Sequence, residues 1–268
     1  MIGVLVIAVL QNMAMAISMN DRAIGIVLSH TDYKDNAILL HVLTKEYGKI
    51  SFVARGARKI TSKQQGSILP FSKGEFLFDY REGKTIFTMK QVKSLDLHRV
   101  FLTNFDAQIG ASMVCEIVNA FVNPAMEQYE VMEVFDLLDT TLTYMEEGTH
   151  VGLLTSMFLS SMLKITGFGV VVDECSLCGS LTIASISIKD GGFLCDRCMY
   201  QEGVSSYDAN TLRNFRYINK ANINDYNVLK DIVSEKECCL SLMMEFLEFH
   251  TGMRIRSYRF YKEFYGGR

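Results

Sequence analysis

The familiar catalytic signatures are missing from this chain. It holds no G-x-x-x-x-G-K-[ST] loop, which excludes a P-loop nucleotide hydrolase. It also lacks H-E-x-x-H and G-x-S-x-G, the zinc-protease and nucleophile-elbow patterns. The histidines His30, His41, His98, His150 and His250 show no ligand spacing, and the acid pair Glu146-Glu147 closes a helical stretch beside no base. The expectation is a protein that is not an enzyme. Proline is scarce, with 2 residues in 268, which argues against long structureless linkers. Internal repeats and low-complexity tracts are absent. The apolar fraction is 49% and the charged fraction 21%, an ordinary globular balance, and the length allows two or three domains.

Charge is missing altogether from residues 1–18. A signal peptide wants a basic start, which is lacking, although Ala14-Met15-Ala16 resembles a cleavage site. A membrane-spanning helix needs about 20 apolar residues, and Gln11-Asn12 interrupts the run. The reading favoured is a dispensable extension or an upstream start, with Met19-Asn20-Asp21-Arg22 as the true beginning.

The charge that is present is unevenly placed. Residues 19–100 carry 14 basic and 8 acidic side chains, a net +6, whereas residues 101–268 carry 13 and 22, a net -9. This asymmetry points to a polyanionic partner for the front of the chain. Alternating runs predict strands over 22–28, 36–43, 50–55, 74–81 and 85–92, with Glu82-Gly83-Lys84 as a hairpin turn. Five strands in about eighty residues fit a small Greek-key barrel, the OB-fold. Between the third and fourth strands, Arg55, Arg58, Lys59 and Lys63 place four cations in nine residues near Gly56 and Gly66, a flexible site for phosphates. Arg22, Lys49 and Lys90 join them as candidate nucleic-acid contacts, and Tyr47, Phe52, Phe71 and Tyr80 are candidates to stack bases. The competing reading puts these aromatics in the barrel core and makes the cations a solvated edge that blocks strand pairing.

From Thr103 the apolar period becomes helical. Helices are predicted from about Phe105 to Phe121, Tyr129 to Met145, Val151 to Ile165, Asp208 to Lys220 and Ser234 to His250. The third is apolar on nearly every side and is expected at the centre of a bundle. The last is expected to open with a Ser234/Glu237 capping box. The C-terminal stretch Arg254 to Lys262 interleaves basic and aromatic residues, as an extension of the basic surface or as a strand with snorkelling cations.

Four of the seven cysteines form two C-x-x-C pairs, Cys175/Cys178 and Cys195/Cys198, with sixteen residues between the inner members. This spacing suits a closed tetrahedral zinc site. Gly179 lets the backbone turn back toward the metal. The alternating insert 181–188 predicts a clamped β-ribbon, and Arg197 and Lys189 lie close enough to offset thiolate charge. A redox C-x-x-C pair or a chance arrangement are the alternatives. Four protein ligands leave no open position for a substrate, so the Zn2+ is expected to be structural. Cys115, Cys238 and Cys239 fall in helical apolar patterns and read as buried thiols of a reducing compartment.

The order of these parts resembles the RecO family of bacterial recombination mediators over roughly residues 20–260. The likeness rests on Val53-Ala54-Arg55-Gly56-Ala57-Arg58-Lys59, on Leu69-Pro70-Phe71, on the helical middle, and on Asp173-Glu174-Cys175-Ser176-Leu177-Cys178-Gly179 with Gly191-Gly192-Phe193-Leu194-Cys195-Asp196-Arg197-Cys198. The resemblance implies an α+β multidomain protein: an OB-fold at 19–100, then a helical domain at 101–268 with an embedded zinc module at 175–198. It implies binding of single- and double-stranded DNA and annealing of complementary strands. It also implies cooperation with RecR in loading RecA onto DNA coated by single-strand-binding protein, whose tail the helical domain contacts. The setting would be cytoplasmic and nucleoid-associated, without a membrane. The alternatives are a zinc-ribbon and OB-fold adaptor acting on RNA or in transcription, and a zinc-dependent enzyme.

Overall fold

The structure, a computed structural model, describes residues 21–33, 37–57 and 66–265. It divides into two compact units, one ending at Leu97 and the other beginning at His98. The apolar segment 1–18 lies outside the described residues.

The first unit is a six-stranded sheet: β1 (Asp21–Tyr33), β2 (Ala37–Thr44), β3 (Gly48–Arg55), β4 (Lys73–Phe78), β5 (Ile86–Thr88) and β6 (Gln91–Asp96), in the spatial order β5-β3-β2-β1-β4-β6. All neighbours are antiparallel except β3 and β5. The run expected as one strand over 85–92 is split. Its first part lies on β3 and its second on β4, the opposite edges of the sheet. The Met89 N–H donates to Val53 O (3.1 Å) and the Lys90 N–H to Leu77 O (2.9 Å), so two consecutive residues bridge those edges and curl the sheet on itself. Gly83 does turn the chain, at φ 76°, but the strands flanking it do not pair. β4 pairs with β6, because β5 crosses to β3.

Period-two patterning explains which side is filled. Phe76 and Phe78 alternate along β4 with half-buried Lys73, Glu75 and Leu77. Phe52 stacks on Phe76 at 5.0 Å and meets Phe78 edge-on at 5.0 Å; Phe87 closes on Phe78 at 5.0 Å. Each such ring contributes roughly 1.5–3 kcal/mol by leaving water. Gly25 and Gly74 face each other between β1 and β4. A Cβ on Gly25 would lie 2.5 Å from Val42 and one on Gly74 2.8 Å from Val92, so the missing side chains let the sheet coil tightly there.

The second unit is helical. Helix α1 (Phe105–Phe121) is capped by Asn104, whose Oδ1 accepts the Ala107 N–H at 3.0 Å. Helix α2 (Gln128–Met145) is followed by α3 (Val151–Ile165), whose residues 151–160 are all buried, as expected for a bundle centre. Thr155 and Ser156 survive there by donating to Val151 O and Gly152 O, each at 2.8 Å. The ribbon β7 (Ser185–Ser187) and β8 (Gly192–Leu194) leads into α4 (Asp196–Glu202), then α5 (Ala209–Lys220), α6 (Tyr226–Leu229), α7 (Leu240–Thr251) and α8 (Arg256–Tyr265).

Two expectations fail in this unit. The predicted helix from Ser234 begins only at Leu240, because Cys239 sits at φ 54°, and Ser234 Oγ donates to the Glu237 carboxylate instead of forming a cap. The basic C-terminal stretch is a helix, not a strand. Its aromatics recur at three- and four-residue spacing: Tyr261 stacks on Tyr265 at 4.7 Å, and Phe264 meets Phe105 of α1 at 4.9 Å. No described helix is long and apolar enough to cross a membrane.

Candidate functional site

The two C-x-x-C pairs converge. The four sulfurs of Cys175, Cys178, Cys195 and Cys198 lie within 4.8 Å of one another, and Cys178 Sγ is 3.6 Å from Cys195 Sγ. A metal–sulfur bond of about 2.3 Å in a tetrahedron sets sulfur pairs about 3.8 Å apart. The donor set therefore fits a tetrahedral thiolate site, and the thiols are free rather than joined as disulfides.

Local backbone builds this site. In the first knuckle the Cys175 N–H donates to Ser180 O (2.8 Å) and the Gly179 N–H returns to Cys175 O (2.9 Å), with Gly179 at φ 71°. The second pair straddles the start of α4, where the Met199 N–H donates to Cys195 O at 2.8 Å. Burial alone would raise the Cys175 thiol; backbone N–H groups of Cys195, Leu177 and Cys178 outweigh it and bring the thiol down to about 6. Burial and the neighbouring cysteine side chains push Cys198 up to about 12. Such opposed shifts are what four crowded thiols give when one proton is easier to lose than the next. Cys178 first, and Cys198 second, raise the Arg197 guanidinium above its ordinary value.

The predicted ribbon is present but short, three residues per strand, with Ile186 opposite Phe193. It is embedded in the helical unit. Phe193 packs on Phe215 of α5 at 5.9 Å, His250 of α7 lies 2.7 Å from Ile188 O, and Asp173 holds Arg216 (3.1 Å) and Lys220 (2.8 Å) of α5. None of these anchors is legible without tertiary structure. Of the other cysteines, Cys115 and Cys238 are buried and Cys239 is partly buried. Burial raises Cys115 and pushes Cys238 and Cys239 up to about 12.

The cationic candidates fall on the first unit. Lys49 and Arg55 lie at the two ends of β3 on its outward side, six residues and roughly 20 Å apart. Between them, Ser51 and Val53 face out, beside Ile86 and Thr88 of β5. Burial lowers the Lys49 amine from its ordinary value. Burial first, and Lys49 second, lower His41 on the neighbouring strand, whose Nδ1 is 3.0 Å from Ser51 Oγ. Lys90 is exposed and pairs with Asp79, while Arg22 reaches Glu75 at 3.4 Å across β1 and β4. Both acidic partners escape sequence reasoning because they depend on strand register. Arg58, Lys59 and Lys63 lie outside the described residues.

Two aromatic candidates need correction. Phe52 is fully buried, and Phe71 is 7% exposed, so neither offers a face to a base. Tyr47 is half-buried, with its ring 4.7 Å from that of Tyr80. Tyr80 is 40% exposed and stacks on Phe87 at 5.6 Å.

These features define a two-part protein: a curled sheet with cations on its outer side, and a helical body carrying a four-thiolate site. Sequence comparison makes the assignment specific. The profile described as recombination protein O, N terminal, matches residues 19–98, and that described as recombination protein O, C terminal, matches residues 102–259. The chain belongs to the RecO family. Among its relatives, DNA repair protein RecO of Clostridium perfringens is 28% identical over 82% of this chain and 84% of the relative. The proteins of the same name from Halalkalibacterium halodurans and Bacillus subtilis are 26% and 27% identical, covering 89% and 88% of this chain and 93% and 91% of the relatives.

Proposed function

We propose that this protein is a DNA-repair and recombination mediator. It binds DNA through the outer side of its β unit, anneals complementary single strands, and acts with RecR to load RecA onto DNA coated by single-strand-binding protein. Membership of the RecO family supports this reading, as does the name shared by its relatives. The observation that carries it is the placement of Lys49 and Arg55 on one outward strand face; Arg58, Lys59 and Lys63 follow in the sequence.

The sheet works as an OB-fold, with β5 and β6 together as its fifth strand. Its cations neutralise phosphates and release counterions, which lowers the repulsion between two strands approaching each other. No bond is made or broken, so the protein acts without catalytic residues. Arg22 and Lys90 are auxiliary contacts, since DNA must compete with Glu75 and Asp79 for them. The helical unit, with a net charge opposite in sign to that of the β unit, receives protein partners. The four thiolates hold Zn2+, which joins the β7–β8 ribbon to the start of α4 and supplies folding energy to a segment with little core of its own. The protein works in the cytoplasm, at the nucleoid.

Charge reversal at Arg55, Arg58 and Lys59 tests the reading. Three lost phosphate contacts should weaken single-stranded DNA binding and flatten the log–log salt slope by about 2. Coincident binding curves for wild type and variant across the salt titration remove this face from the account. Tighter binding to RNA than to DNA of equal length, with no annealing, favours the adaptor reading.

A further inference from the structure

The four cysteines are not equally protected. Cys175, Cys195 and Cys198 are 1%, 7% and 4% exposed, whereas Cys178 is exposed to solvent. Of the three cysteines outside the cluster, Cys115 and Cys238 are buried and Cys239 is intermediate. Among the described residues, Cys178 is thus the one exposed cysteine. Its sulfur lies 3.6 Å from a resolving thiol, that of Cys195.

We infer that Cys178 is a modification site for peroxides and soft electrophiles, and that its reaction opens the metal module. The inference rests on the reading that the cluster holds zinc. Oxidation proceeds in two balanced steps. The Cys178 thiolate attacks one oxygen of a peroxide, breaking the O–O bond to give a sulfenic acid and hydroxide. The Cys195 thiolate then attacks the sulfenic sulfur, forming the Cys178–Cys195 disulfide and expelling a second hydroxide. Two electrons pass from the two thiolates to the peroxide. The disulfide sulfurs no longer bind the metal as thiolates, and the ion leaves. Alkylation of Cys178 removes one ligand by the same route without a resolving step.

The test uses the full-length protein. Bound zinc is first quantified. The protein is then treated with substoichiometric hydrogen peroxide or N-ethylmaleimide, while released zinc is followed with a metallochromic dye and modified cysteines are mapped by mass spectrometry. The expected result is first labelling at Cys178, one zinc released per Cys178 modified, and a Cys178–Cys195 disulfide after peroxide. Cys239→Ser should change nothing. First labelling at any other cysteine, or zinc release that runs ahead of Cys178 modification, overturns the inference while leaving the zinc reading intact. A preparation that holds no zinc overturns both.

Discussion

Met89 and Lys90 are neighbours in the chain, yet their backbone N–H groups bond opposite edges of one sheet, Met89 to Val53 and Lys90 to Leu77. This single step closes the β unit and brings the face carrying Lys49 into register with β5. Lys90→Pro removes the second of these donors and should cost about 1–3 kcal/mol in denaturant unfolding. Lys90→Ala keeps the N–H and should cost less than about 0.5 kcal/mol. Equal losses for the two variants would show that the seam does not stabilise the sheet.

Glu235 holds the start of the buried helix α3. Its carboxylate accepts the Gly152 N–H at 2.6 Å, the Leu153 N–H at 3.3 Å and the Tyr261 hydroxyl at 2.9 Å. This is an acidic cap supplied from 82 residues away, at the positive end of a helix dipole. Glu235→Ala should lower stability by about 2 kcal/mol, and Glu235→Gln by less, as read from denaturant midpoints at constant m-value.

Gly192 has no space for a side chain. A Cβ there would lie 2.2 Å from Val171 O, and the displaced atom is backbone. Gly192→Ala should therefore push the β7–β8 ribbon off its neighbour. The expected result is substoichiometric zinc and fast amide exchange across residues 171–198, with the β unit unchanged. Full zinc occupancy and wild-type exchange in this variant would contradict the packing described.

His41 is predicted to report on both pH and DNA. Burial and Lys49 hold its folded-state value below 6.5, so the unfolded chain takes up the proton first. Stability of the β unit should therefore fall as pH drops below about 6.5 toward the folded-state value, and His41→Gln should remove that part of the slope. A phosphate beside Lys49 offsets the lysine charge. Saturation with a single-stranded oligonucleotide should thus raise the His41 pKa in an NMR titration. A value unmoved by DNA would place the strand elsewhere.

Much of this was legible in the chain. The cysteine spacing announced the sulfur cluster because four ligands on two knuckles are a local pattern. The apolar surround of α3 announced its burial. Alternation located the strands, but it did not show that residues 85–92 divide between two edges, since that depends on sheet closure. Phe52 and Phe71 looked available for stacking because burial is set by strand register at Phe52 and by a turn at Phe71, with φ 73°, and composition shows neither. The C-terminal stretch reads from its interleaved basic and aromatic residues as an extended basic surface or a strand, not as the helix it forms. Its helical form is fixed by packing of Phe264 on Phe105 and by the Glu116 carboxylate, which accepts the backbone N–H groups of Arg256 and Ser257 at 2.8 and 2.9 Å.

The most direct measurement is the rate at which complementary oligonucleotides, each coated with single-strand-binding protein, form duplex with and without this protein. The account predicts a large acceleration at low salt, reduced by added salt and by charge reversal at Arg55, Arg58 and Lys59. Duplex formation at the same slow rate with or without the protein, even in dilute buffer, would contradict it.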